Sequence, residues 1–162
     1  MWDTFTATLG QLHQQYEKIH ALQEKKRGIL VALDMEALEK LTAEESFLAA
    51  AVQTLEKQRL MQLAQIAQET PGVTPETTME ELALLAPIDE IHRAVLGASR
   101  KLSLLVKAVQ ERSEANAFLM EGLLIAVNRQ LGKIGGTVVD PVYGSGGGEQ
   151  VRHLKKNLDY EA

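Results

Sequence analysis

The first turns of the chain place Trp2, Phe5, Leu9, Leu12, Tyr16 and Ile19 at alternating spacings of three and four. That alternation is a heptad seam, the pattern of a helix that packs along its length on another helix. The phase is expected to slip after Leu22, through Ile29, Leu30 and Leu33, with Gly28 inside the run. Asp34 then reads as the N-cap of a second helix, with a seam of Leu38, Leu41, Glu45, Leu48, Val52, Leu55, Arg59, Gln62 and Ile66. So short a connection makes the two helices antiparallel neighbours. At about 30–35 residues each, they form a hairpin of roughly 45–50 Å.

Thr70-Pro71-Gly72-Val73-Thr74-Pro75 ends the second helix, since Pro cannot continue it and Gly favours the turn. Thr78 to Glu81 reads as a capping box ahead of Leu82, Leu84 and Leu85, a short helix stopped by Pro87. The longest periodic segment follows, with Ile88, Ile91, Val95, Leu102, Leu105, Val109, Leu119 and Leu123 on one stripe. Running to Lys133, it would measure roughly 69 Å and outrun the hairpin. Gly135-Gly136 and Gly144 to Gly148 bracket a non-helical stretch, and the residues from Glu149 on have room for a short frayed helix. The expected fold class is all-α: a long, coiled-coil-like antiparallel hairpin (2–33 and 34–70) and a third long helix (88–133) in an elongated three-helix bundle. A short helix at 78–85 completes a single domain over 1–133, and a Gly-rich flexible tail occupies 134–162.

Composition narrows the class further. Ala, Leu, Glu, Lys and Arg make up 77 of the 162 residues, close to the roughly 50 % of long helices and coiled coils. Only seven residues are aromatic, which argues against a β-sandwich or barrel core. With no Cys, disulfides, Cys–zinc sites and thiol nucleophiles are excluded. The net charge of −5 is spread evenly, so the clustered Lys/Arg that nucleic-acid phosphates require is missing and no nucleic-acid partner is expected. No apolar run approaches the ~18–20 residues that span a bilayer, so no membrane insertion is expected. Nor does Met1 to Gly10 have the basic start and apolar core of a signal peptide. A protein of a reducing, cytoplasmic compartment is expected.

Candidate chemistry is thin. Glu17-x-x-His20 and Asp89-x-x-His92 echo the spacing that puts two metal ligands on one helix face. Glu17 and His20 fall one residue beyond the seam positions Tyr16 and Ile19, which turns them toward a solvated flank. Gly144-Ser145-Gly146-Gly147-Gly148 lacks the Lys-Ser/Thr and the strand-to-helix setting of a phosphate loop, and reads as a linker. No nucleophile elbow occurs. The expectation is a protein with no catalytic residues, no metal and no cofactor. Glu45 and Arg59 interrupt the second seam and Lys26 falls near the first. In a hairpin turning near Asp34, Lys26 stands roughly level with Glu45, and a paired charge in a seam sets register at some cost in stability.

Ala117 to Val127 is the most informative stretch, with nine apolar residues in eleven. A helix that packs through a seam alone shows two or three per heptad, so this apolar surface wraps beyond one stripe. It is buried in the protein's own bundle or homodimer, or it covers a partner helix. Met120 and the γ-branched leucines suit adaptable contacts.

Glu24-Lys25, then Asp34-x-x-x-Leu38-x-x-Leu41-x-x-x-Glu45, then Leu48, Leu55 and Arg59 resemble the first two helices of the FlgN family of flagellar export chaperones. Asn116-x-x-Leu119-x-x-x-Leu123, leading through Asn128 to Tyr143-Gly144-x-x-Gly147, is similar to that family's Asn-plus-Leu helix and Tyr-Gly-x-x-Gly tail. Ser113 departs from the pattern, standing where many members carry the first of two Asn three apart. The resemblance implies a cytoplasmic chaperone of the flagellar type III export system. Such a chaperone holds the terminal helical regions of hook–filament junction proteins (FlgK and FlgL) and delivers them to the export gate component FlhA. It points to Phe118, Leu119, Met120, Leu123, Leu124 and Val127 as the client-binding surface and to Tyr143 as a docking residue of the tail. The alternative is a homodimeric coiled-coil scaffold, without an export client, closed through the same patch.

Overall fold

The structure is a computed structural model and describes residues 1–74 and 76–135. Four helices follow in order: α1 (Trp2–Ala32), α2 (Met35–Glu69), α3 (Met79–Leu84) and α4 (Asp89–Gly135). Among the described residues there is no strand, and the fold is an all-α helical bundle. Packing divides the chain at Asn116 into Met1–Asn116 and the part from Ala117 on, where the pattern predicts one unit over 1–133. From Ala117 to Ile134 no side chain is buried, so the burial that holds the first unit together ends at Asn116.

Two residues connect α1 to α2. Leu33 takes the left-handed conformation (φ 54°, ψ 33°), its N–H donating to the Leu30 carbonyl, while the Asp34 N–H reaches back to Ile29. Those two bonds form a Schellman motif, which satisfies the orphan carbonyls of the α1 C-terminus. Asp34 at once starts the next helix, its Oδ1 accepting from the Ala37 N–H at 3.0 Å. The corner therefore uses no residue that is not a cap, and α2 folds back along α1.

The heptad seam of α1 does not slip. Continued at spacings of four and three, it runs from Ile19 through Gln23 and Lys26 to Leu30, and Gln23 and Leu30 are both buried. Leu33, placed on a shifted seam by the apolar pattern, is 55 % exposed at the corner. Apolar spacing alone suggests a slip because two seam positions are polar, and Leu22 is buried beside Gln23. On α2 all nine expected seam residues are at least half-buried, from Leu38 to Ile66.

At the opposite end of the hairpin, Trp2, Phe5 and Leu9 of α1 meet Ile66 of α2, Val73, Leu82 and Ala83, and Val95 of α4. This is the main apolar core, and it explains how a six-residue helix persists. Thr78 and Glu81 close both halves of a capping box: the Thr78 N–H donates to Glu81 Oε2 (2.8 Å) and the Glu81 N–H to Thr78 Oγ1 (3.2 Å). The other end is tied by His92, whose Nδ1 lies 2.8 Å from the Ala83 carbonyl and donates to it. Gly72, at φ 92°, turns the chain after Pro71, a conformation that costs other residues a Cβ clash. Ile88, expected on the α4 stripe, precedes the helix and is largely exposed.

Two outcomes follow from these local arrangements. Left-handed backbone costs a Cβ-bearing residue about 1–2 kcal/mol, offset in part by the ~0.5–1 kcal/mol of chain entropy that Gly loses on folding. Leu33→Gly is therefore expected to raise stability by about 0.5–1 kcal/mol in chemical denaturation; a loss would show that the Leu33 side chain contributes packing. The Glu81 carboxyl is held below its usual range, first by the Thr78 N–H and then by the Thr78 hydroxyl. Its contribution is complete above the ordinary glutamate value and is lost as pH falls through the lowered one. The Thr78 amide resonance should titrate with a midpoint below that of an ordinary glutamate, and Glu81→Gln should abolish the titration.

Candidate functional site

Inside Met1–Asn116, three helices contribute one polar layer to an otherwise apolar seam. Glu45 of α2 accepts from Lys26 Nζ at 2.8 Å and from Gln23 Nε2 at 2.7 Å, both on α1. Gln23 in turn accepts from Asn116 of α4: Asn116 Nδ2 lies 2.9 Å from its Oε1 and 2.8 Å from its backbone carbonyl. The charge on Glu45 dictates these orientations. A carboxylate only accepts, so Gln23 must turn its amide nitrogen toward it and its oxygen toward α4. Asn116 must then present its own nitrogen, which leaves its Oδ1 buried without a partner. Beside the layer, Arg112 Nε meets Glu24 Oε1 at 2.6 Å. Asn116 meets Gln23, and Val95 shares a core with Trp2, so within this unit α4 runs parallel to α1.

The same spacing of seven links Val95, Leu102, Val109, Asn116 and Leu123 on α4, so Asn116 occupies a seam position. Asn116 entered the sequence reading only as a motif residue, and Gln23 not at all. The signal that finds both is a polar residue at the heptad spacing, where an apolar one is expected.

The second unit is described through α4 from Ala117. Phe118 is 79 % exposed, and Leu124, Ile125, Val127, Leu131 and Ile134 are exposed as well, while Leu119, Met120 and Leu123 are half-buried. At 100° per residue, Met120, Leu123, Val127, Leu131 and Ile134 form one stripe. Phe118 and Ile125 fall on the side opposite Val127. The six residues expected to bind a client thus encircle the helix rather than form a single face. Leu131 and Ile134 extend the stripe beyond them, at the i+4 and i+7 positions from Val127. Tyr143, the candidate tail residue, lies outside the described residues.

The remaining candidates take part in local bonds. Arg59 Nε pairs with Glu56 Oε2 at 2.8 Å on its own helix. Partial burial, and then the negative charge of Glu56, raise the Tyr16 phenol above its usual range. Glu17 stands 3.7 Å from His13 Nδ1, and His92 is the tether of α3. No cluster of three or more His, Cys, Asp or Glu suited to a metal ion occurs among the described residues. No helix is long and apolar enough to cross a membrane, again among the described residues.

Compared with known proteins, the chain matches the model of one protein family, described as FlgN protein, over residues 1–150. Neither a curated protein nor a solved structure gives a match.

The polar layer predicts energetic coupling between α1 and α4. Asn116→Leu leaves the Gln23 oxygen buried without a donor and should cost about 1–3 kcal/mol in denaturant. Adding Gln23→Leu to that variant should cost less than Gln23→Leu alone, with a coupling of about 1 kcal/mol in the double-mutant cycle. Additive costs would mean the two amides act separately.

Proposed function

The chain belongs to the FlgN family of flagellar export chaperones, and from that premise we propose that it binds the terminal helical regions of hook–filament junction proteins, the FlgK and FlgL type, in the cytoplasm. It keeps those regions from associating early and hands them to the FlhA-type component of the export gate. The observation that carries the reading is the state of α4 from Ala117: a regular helix with apolar side chains on most of its circumference and none of them buried. A contiguous apolar surface of this kind is costly in water and is the complement of an amphipathic client helix.

Phe118, Leu119, Met120, Leu123, Leu124 and Val127 are the proposed client contacts, with Leu131 and Ile134 continuing the stripe. Covering by side chains needs no chemistry and releases the client without breaking a bond. Tyr143 is assigned the docking of the tail on client or gate, because a Tyr carries an apolar ring and a polar tip into a contact. Lys26 and Glu45 are assigned to register through the layer described above. Arg59 is assigned to the same task through its place in the α2 seam.

Light scattering coupled to size exclusion, on the full chain with the terminal segment of a junction protein, tests the reading. A stoichiometric complex that forms as the free chain disappears is the expected result. A chain that ignores the segment would overturn it, and a homodimer that Leu123→Glu with Val127→Glu dissociates would make 117–127 a self-interface. Leu123→Glu combined with Val127→Glu should weaken client binding on the order of a hundredfold, about 2.7 kcal/mol, with helicity unchanged. Unfolding of that variant would assign the two residues to a core.

A further inference from the structure

A second apolar surface lies on the hairpin, wholly within Met1–Asn116. Between α1 and α2 a cleft of about 550 Å³ is lined by Leu22 and Leu48, with the exposed Lys18, Ala21, Lys25, Glu44 and Phe47 around them. Phe47 is 75 % exposed in the middle of a helix, an aromatic ring set beside the cleft it does not fill. On α1 this face is the one turned away from Gln23 and Glu24, which meet α4. Among the described residues neither Lys25 nor Glu44 takes part in an ion pair. Lys18 likewise has none, so the surface carries its own knob, its own hole and, in Lys25 and Glu44, an unpaired charge of each sign with Lys18 as a further cation.

We propose that this cleft is a self-association surface, occupied by the same face of a second copy of the chain. The hairpin register makes it self-complementary. Glu45 bonds both Gln23 and Lys26, so it stands level with the middle of that stretch, and Glu44, one residue back on the antiparallel α2, stands about level with Lys25. A two-fold axis parallel to the hairpin lays α1 of one copy over α2 of the other at the same level. Lys25 of each copy then lies over Glu44 of the other, and each Phe47 ring over the small Ala21. A two-fold axis across the hairpin would instead lay α1 on α1, with Lys18 near Lys25 of the other copy, and like charges oppose it. With one aromatic anchor and one ion pair on each side, the association is a concentration-dependent equilibrium rather than an obligate dimer. The inference uses residues of Met1–Asn116 alone and does not depend on the client-binding reading.

Sedimentation equilibrium of the full chain over a range of concentrations tests it. The expected result is a monomer–dimer equilibrium whose Kd rises at least about tenfold in Phe47→Asp and in each of Lys25→Glu and Glu44→Lys, while the charge-swapped double variant recovers to within about threefold of the parent. All three substitutions fall on exposed positions, and circular dichroism checks that each variant, the double one included, is folded. A chain that stays monomeric throughout would overturn the proposal. So would a dimer indifferent to these changes but dissociated by Leu123→Glu with Val127→Glu, since that dimer closes through α4.

Discussion

One half-buried carboxylate organises the packed unit. Glu45 sits in the seam of α2, where a leucine would pack with less trouble, and everything that faces it must donate. Lys26 and Gln23 do so, and the amide of Gln23 passes the requirement on to Asn116 on a third helix. Desolvating such a group costs free energy unless its bonds are made, so only the register that brings all three helices level satisfies it. An all-leucine seam would tolerate slips by a heptad; this one does not. The orphan oxygen of Asn116 is the residual cost of that selectivity.

The layer also marks where the character of α4 changes. Up to Asn116 its stripe is covered: Val95 and Val109 are buried, and Leu102 and Leu105 are half-buried. From Ala117 to Ile134 the helix becomes more apolar around its circumference, yet none of these residues is buried. A helix that spends its apolar residues on the unburied half is built for something other than its own stability. Under the reading proposed above, such a surface serves to cover helices that belong to another protein.

The ends of the hairpin are settled by short-range chemistry instead. Leu33 and Asp34 each serve as the cap of one helix, which keeps the corner to two residues. At the other end the capping box of α3 and the His92 tether satisfy the termini of a helix too short to stand alone. The apolar core of Trp2, Phe5, Ile66, Leu82 and Val95 then holds what those bonds have aligned.

Sequence alone determined the helices, because the seam spacings and the caps are local properties of the chain. Asp34, the Thr78–Glu81 box and the run from Trp2 to Leu12 were all legible in that way. The level placing of Lys26 and Glu45 was legible too, since two helices joined by a tight corner leave little freedom of register. Residues 117–127 stood out by composition, but whether they were core or surface was not in the pattern, since buried and client-facing helices are equally apolar. Only the tertiary structure decided that these side chains are not buried within the described chain, and that the α1 seam continues through polar Gln23. It also brought Gln23 to Asn116, a bond spanning 93 residues. Hydrophobic periodicity carries no information on which polar groups will face one another, because that depends on helices meeting in space rather than on spacing along the chain.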